Sequence, residues 1–279
     1  MRIAWNNCFS LGNADIVLFG VPDSSASMYK GSAQAPSEIR NASLRWETGC
    51  YSSGKKFVLL PQSAPMRRKL FDAGNIFKED VEEFTQRLMR LKKVPGMLGG
   101  DHSLTVLALS GIAKGRKGKR PGIAMLDAHL DFVSSERNFY GSVLTELRAK
   151  KLVNFKKSVV IGARAFTGEE MQNAKKAGLK VFTPNDLEEK GAKKVLRAAK
   201  KRLGRSAYLS IDIDCVDPAF APGVSDPIPG GLSTSALFYL ARGLSRGMLA
   251  FDLVEVNPLE DFREHTAHLA AKLVAEIVA

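Results

Sequence analysis

VPGMLGGDHSLTVLALSGIA, residues Val94–Ala113, reads as a strand, a tight turn and a helix in immediate succession. Val94–Leu98 is an apolar run of strand length closed by two glycines, and a helical pattern runs from Ser103 to Ala113. The same alternation extends in both directions. Further strands are expected at Asp15–Gly20, Phe57–Leu60, Gly122–Leu126, Ser158–Gly162, Leu179–Phe182, Ala207–Ile213 and Leu249–Val256. Further helices are expected at Pro36–Leu44, Lys78–Lys92, Gly141–Lys151, Gly168–Ala177, Gly191–Leu203, Ser233–Leu244 and Glu264–Val278. Pro36 sits where a first helical turn tolerates it, and Ser233 is placed to cap the helix that follows. This order predicts an α/β fold of three layers, α-β-α, around a mostly parallel sheet of about eight strands. No linker, repeat or compositional break divides the chain, so residues 1–279 are expected to form one domain.

Composition narrows the class. With 45% hydrophobic and 25% charged residues, the chain is neither a disordered polymer nor a low-complexity one. It has no apolar run of membrane-spanning length, and Met1–Asn7 lacks the apolar stretch of a secretory signal, so a cytoplasmic protein is expected. Cys8, Cys50 and Cys215 are far apart and form no CxxC pair, which points to free thiols rather than a disulfide framework or a thiolate zinc site. Lys and Arg exceed Asp and Glu by 12. The basic residues lie in separate stretches, within 114–120, 150–157, 175–180 and 190–205, the last of them spaced like a solvated helix face. No zinc finger, basic zipper or aromatic RNA motif accompanies them, so a nucleic-acid partner is not expected.

In a parallel sheet the ligand site lies beyond the carboxyl ends of the strands. Three such ends carry carboxylates and histidines: Gly99-Gly-Asp-His-Ser103, Asp127-Ala-His-Leu-Asp131 and Asp212-Ile-Asp214. Any one alone could be a turn or a solvated strand end. Asp is disfavoured in strands, however, and two carboxylates on one side of a buried strand repel unless a cation lies between them. If the strand alternation persists, Asp127, His129 and Asp131 share one side, as do Asp212 and Asp214. With His102 these make four carboxylates and two imidazoles, too many for one metal ion and suited to two. The donor mix matches Mn(II), with Zn(II) as an alternative. His265 and His268, in the terminal helix, are expected to be ordinary surface or core residues.

These motifs, with the run from Ser210 through Asp217-Pro-Ala-Phe-Ala-Pro-Gly223 to Ser233, resemble the ureohydrolase family of arginases, agmatinases and formimidoylglutamases. The DPAFAPG wording, Gly20-Val-Pro22 and Ala35–Arg40 are similar to agmatinases in particular. The resemblance implies an arginase-like fold and hydrolysis of a linear guanidino or amidino C–N bond, as in agmatine to putrescine and urea. It implies two Mn(II) ions, one held by His102 and Asp131, the other by His129 and Asp214, with Asp127 and Asp212 bridging. It further implies that Asp131 moves the catalytic proton and that Glu255, in Phe251-Asp-Leu-Val-Glu255, pairs with the guanidinium. A small-molecule substrate and a homo-oligomer, trimer or hexamer, belong to the same expectation.

Two departures bear on the substrate. Arginases and agmatinases carry a proton-shuttling His shortly after the DAHxD motif, where this chain has Tyr140. A phenol titrates too high to shuttle protons at neutral pH but can donate a hydrogen bond. Thr167 stands where an acid that binds an α-amino group is expected, while Glu170 remains as a substrate-binding carboxylate. Arginine is therefore disfavoured as substrate. The alternatives are the same chemistry on formimidoylglutamate or a guanidino acid, or a metal-binding pseudoenzyme marked by Tyr140.

Overall fold

A computed structural model of the chain describes residues 1–45, 68–116, 120–134, 139–204 and 206–279. Eight strands form one sheet: β1 Ile16–Gly20, β2 Leu70–Asn75, β3 Val94–Leu98, β4 Gly122–Leu126, β5 Val159–Ile161, β6 Lys180–Phe182, β7 Ala207–Asp212 and β8 Ala250–Val254. Their spatial order is β2-β1-β3-β8-β7-β4-β5-β6, and every pairing is parallel. Alternate residues feed opposite faces. Ile16 and Leu18 of β1 and Ala124 and Leu126 of β4 join one apolar cluster, while Val17, Phe19, Ile123 and Met125 join the other.

Helices cover both faces. The first cluster takes in α1 Ala35–Leu44, α7 Ala192–Leu203, α8 Thr234–Ser245 and α9 His265–Val278. The second takes in α2 Val81–Arg90, α3 Leu104–Gly115, α4 Val143–Ala149 and α5 Gly168–Ala177. The result is the expected three-layer α/β fold. Pro36 lies in the first turn of α1, and Ser233 caps α8 by accepting from Ala236 N–H. No helix of the described residues is long and apolar enough to cross a membrane. Cys8 and Cys215 are buried free thiols, and Cys50 lies outside the described residues.

Two elements, an edge strand and a short polar helix, were not expected from the sequence. The strand expected at Phe57–Leu60 lies outside the described residues. The edge strand is β2, whose Asp72, Gly74 and Asn75 read as turn formers. It is a strand because Asp72 has a buried partner. Arg40 of α1 grips its two carboxylate oxygens at 2.8 Å each and also donates to Asn75 Oδ1, Pro36 O and Gly74 O. Ile3 N–H completes the Asp72 shell at 2.7 Å. The other addition is α6, Pro184–Lys190, too polar to show an apolar stripe. Its sign is local: Thr183 and Asp186 form a capping box ahead of a first-turn proline.

Arg40 and Asp72 are both buried, so removing one strands the other. Arg40→Met is expected to cost about 3–5 kcal/mol in urea unfolding. Burial pushes the Asp72 carboxyl up, but the Arg40 guanidinium outweighs it and holds it below the usual range. A depressed folded pKa contributes stability above the unfolded value and loses it as pH falls. The gap between wild type and Arg40→Met should therefore narrow below about pH 4.

Candidate metal centre

The four central strands, β3-β8-β7-β4, are far apart in sequence but adjacent in the sheet. The chain passes from β3 to β4 across the gap that β8 and β7 later fill, which makes this a topological switch point. His102 lies just past β3, Glu255 past β8, Asp212 and Asp214 at the end of β7, and Asp127–Asp131 past β4. The β3 and β8 ends are tied together: His102 N–H donates to Glu255 Oε1 at 2.8 Å, and Glu255 N–H donates to Gly100 O at 2.8 Å. Gly100 must be glycine, because a Cβ there would lie 1.9 Å from the Asp23 carbonyl oxygen. Asp101 points away from the cluster. It accepts from Ser103 N–H at the start of α3 and from Ala26 N–H, which fastens the loop after β1.

The strand alternation assumed for the carboxylates ends at the strand ends. Only Asp212 is in a strand; a 3-10 turn, Ile213–Cys215, carries Asp214. Asp212 Oδ1 accepts from Asp214 N–H at 2.9 Å, an Asx-type turn that curls the chain back over the sheet end. Likewise 127–131 lies beyond β4, and Asp127 Oδ1 accepts from His129 N–H at 2.6 Å. Asp131 has φ +50° and Glu255 φ +62°, both in the left-handed region. Two such residues in one cluster mark local strain held by surrounding structure.

His102 Nδ1 lies 3.2 Å from Asp127 Oδ2 and 3.3 Å from both Asp131 Oδ2 and Asp212 Oδ2. His129 Nδ1 lies 2.9 Å from Asp214 Oδ2 and 3.6 Å from Asp127 Oδ1. Two groups able to hold a metal ion follow, His102/Asp127/Asp131 and Asp127/His129/Asp214, with Asp127 common to both. The fit to cations is visible in the polar atoms: His102 Nδ1 and Asp127 Oδ2 are buried and have no hydrogen-bond partner. Buried polar atoms without partners are costly, and a divalent ion satisfies both.

The crowding bears on the ionisation of each group. Burial and the neighbouring Asp127 charge push Asp131 up to about 7. Burial and the charges of Asp214 and Asp127 push Asp212 well up. Burial also raises Asp127, but the two imidazoles outweigh it and hold it low. Burial lowers both histidines, and the surrounding carboxylates outweigh it and raise them. Burial lifts Glu255 to about 8.

A cavity of about 310 Å³ opens over this cluster. Asp131, His129, Asp212, Asp214 and Glu255 form part of its lining, and Val133, Phe139, Tyr140, Phe166 and Val224 give it apolar and aromatic walls. Tyr140 begins a 3-10 turn, Tyr140–Ser142, ahead of α4. Burial and the charges of Glu255 and Asp226 raise its phenol, which stays protonated at neutral pH. Glu170 also lines the cavity, and it closes a capping box: Oε2 accepts from Thr167 N–H at 2.8 Å and Oε1 from Phe132 N–H at 3.2 Å. His268, in α9, is outside the cluster and lies 3.9 Å from Glu264, the residue before that helix.

Two residues of this region escaped the sequence reading. Asp226 lines the cavity with its carboxylate 3.1 Å from His129 Nε2. The Arg164 side chain clamps the backbone carbonyls of Asp214, Cys215, Val216 and Ile228, fixing the loop that carries Asp214 and Asp226. An arginine two residues beyond Gly162 at the end of a short strand was the available signal for the second; Asp226 had none.

Carboxylates and imidazoles grouped to hold metal at the switch point of a parallel sheet point to a metal-dependent hydrolase of the α/β class. Comparison with known proteins makes the class specific. The family model described as the arginase family matches residues 14–279. The chain is 32% identical to an agmatinase of Blochmanniella floridana over 281 residues, 95% of this chain and 87% of that protein. It is 30% identical to the mitochondrial arginase 1 of Oryza sativa subsp. indica over 285 residues, covering 95% and 81%. The agmatine ureohydrolase structure of Thermoplasma volcanium matches with a TM-score of 0.82 at 30% identity, over 100% of this chain and 93% of that one. The chain belongs to the arginase family, whose members hydrolyse guanidino C–N bonds, and it is an amidinohydrolase.

Because cations relieve the carboxylate crowding only in the folded state, divalent metal should stabilise the protein. Manganese at a thousandfold its Kd is expected to add about 4 kcal/mol per independent site. Differential scanning calorimetry should show the melting temperature rise by several degrees with metal and fall back with a chelator. Asp127→Asn should abolish most of that rise.

Proposed function

We propose that the chain hydrolyses agmatine to urea and putrescine with two Mn(II) ions. The observation that carries this reading is the sign of the cavity. Its described lining holds the carboxylates of Glu255, Asp226 and Glu170 and a set of apolar walls, and no Lys or Arg. Agmatine offers a guanidinium at one end, an amine at the other and methylenes between. Arginine, guanidino acids and formimidoylglutamate each bring at least one carboxylate that would meet like charge, with no Lys or Arg among the described lining residues to partner it.

His102 and Asp131 would hold one ion, His129 and Asp214 the other, and Asp127 and Asp212 would be shared. Bound there, the cations supply Lewis acidity that brings the pKa of a water near neutrality and balance the carboxylate charge. Glu255 is anchored through Oε1 by His102 N–H, and its second oxygen, which makes no hydrogen bond among the described residues, is available to the guanidinium. Asp131 accepts a proton from the attacking water and delivers it to the leaving amine. Tyr140, kept neutral, donates a hydrogen bond and walls the cavity rather than carrying protons. Asp226 and Glu170 place negative charge for the far amine.

With manganese loaded, agmatine should yield urea and putrescine in equal amounts, with L-arginine at least about tenfold poorer in kcat/KM, given ~1.4 kcal/mol per factor of ten. Equal or better turnover of arginine or a guanidino acid, or no hydrolysis of agmatine, would overturn the reading. Asp131→Asn should lower kcat about 10²–10⁴-fold. Glu255→Gln should lower kcat/KM by about 10–100-fold, the value of a charge-assisted bond. Tyr140→Phe should stay within about tenfold of wild type, since one neutral hydrogen bond is worth about 1 kcal/mol.

A further inference from the structure

The ring of His102 has a second nitrogen, and its environment is as specific as that of the first. Nε2 lies 2.9 Å from Ser210 Oγ, in the buried interior. Ser210 Oγ in turn donates to Asp252 Oδ1 at 2.7 Å. Asp252 Oδ2 accepts from Tyr208 OH at 2.6 Å and from Thr105 Oγ1 at 2.7 Å. The fold builds this row directly. Ser210 of β7 and Asp252 of β8 are register partners, Tyr208 lies two residues earlier on the same face of β7, and Thr105 comes from the first turn of α3, three residues after His102. Ser210 and Asp252 have no exposed surface, and Thr105 and Tyr208 have almost none.

Hydrogen counting fixes the direction of the row. A serine hydroxyl has one hydrogen, and Ser210 gives it to Asp252. Toward His102 it can only accept, so Nε2 carries a ring proton, and in the neutral imidazole it is Nδ1 that keeps the lone pair. That lone pair faces Asp127, Asp131 and Asp212. Asp252 is unusual in another way: its partners are three neutral hydroxyls, and no Lys, Arg or His lies within ion-pair distance of it among the described residues. A buried carboxylate without a cation is expensive. The positive charge that compensates it belongs on the far side of the imidazole.

We propose that Ser210 and Asp252 are positioning residues that lock His102 in its Nε2–H tautomer, aim Nδ1 at one cation site and strengthen it as a donor. This rests on the reading of His102 as a metal ligand. A carboxylate behind a ligating imidazole, here relayed through one hydroxyl, raises ligand basicity, and its removal costs about 10–100-fold in metal affinity. The effect is confined to the site His102 serves. His129 has no such row behind it; its Nε2 lies 3.1 Å from Asp226, a largely exposed carboxylate.

The test uses the metal-stripped full chain titrated with Mn(II), with free and bound ion followed by electron paramagnetic resonance. Wild type is expected to take up two ions. Ser210→Ala and Asp252→Asn should weaken one of the two sites by about 10–100-fold and leave the other within about threefold. Both should also lose the spin-coupled signal of a manganese pair at concentrations where wild type shows it. Asp252→Asn keeps the shape of the side chain and carries the test if Ser210→Ala does not fold. Tyr208→Phe removes one hydroxyl from Asp252 without touching the path to His102, and should leave both sites and the coupled signal intact. The proposal is overturned if the two variants bind both ions as wild type does. It is equally overturned if Tyr208→Phe weakens binding as much as they do, which would make the row a general packing element. A wild type that binds no manganese fails at the earlier step, the assignment of His102 as a ligand.

Discussion

Asp127, Asp131, Asp212 and Asp214 are all buried, and all four approach one or other of two imidazoles within 3.6 Å. Four ionised carboxylates cannot coexist at such spacing in a low-dielectric interior on hydrogen bonds alone. Protonating both histidines would still leave an excess of negative charge, and burial together with like-charge neighbours pushes Asp131 and Asp212 toward their neutral forms. Divalent cations remove the conflict without consuming protons. The rest of the architecture can be understood as a frame that keeps these groups close in spite of their mutual repulsion.

That frame is the switch point. Only where the strand order jumps do four sheet ends from distant parts of the chain lie side by side, and only there can each contribute one or two short side chains to one volume. The holding is done by backbone: Glu255 is tied to Gly100, Ala128 N–H donates to Asp214 Oδ1, and Arg164 pins the carbonyls around Asp214. The left-handed Asp131 and Glu255 show that the geometry is forced, at a cost of order 1–3 kcal/mol each. Two apolar clusters, one on each face of the sheet, supply the stability against which such local cost is set.

The pattern of what the sequence revealed follows from these causes. The ligand-type residues were legible because three strand ends of one sheet carry Asp and His together, and although one such segment could be a turn, three are hard to explain otherwise. The strand-helix alternation was legible because buried parallel strands are continuous apolar runs. What the sequence hid depends on pairing across the sheet. Ser210 and Asp252 are unremarkable residues until the register sets them opposite one another and beside His102. β2 was hidden because Asp72 makes sense in a strand only when Arg40, thirty-two residues earlier, is known to meet it. The path from Asp212 to Asp214 was misjudged as continuing strand because an Asx turn and a pleat put carboxylates into the same neighbourhood by different backbone routes.

The place of Tyr140 in the cavity wall bears on proton movement at the site. Among the described residues that line the cavity, His129 is the one imidazole, and its ring is engaged by Asp214 on one side and Asp226 on the other. The Tyr140 phenol is pushed further from neutrality by burial and by the carboxylates it faces. Asp131, lifted to about 7, and Glu255, lifted to about 8, are described lining groups brought near neutrality, and Tyr140 is not one of them. The carboxylates that make the cavity lining negative also raise the phenol, so both properties arise from the same field. If Asp131 alone serves both proton transfers, its carboxylate must be free to change partners between the two steps, and the left-handed backbone at that residue sets the orientation from which it does so.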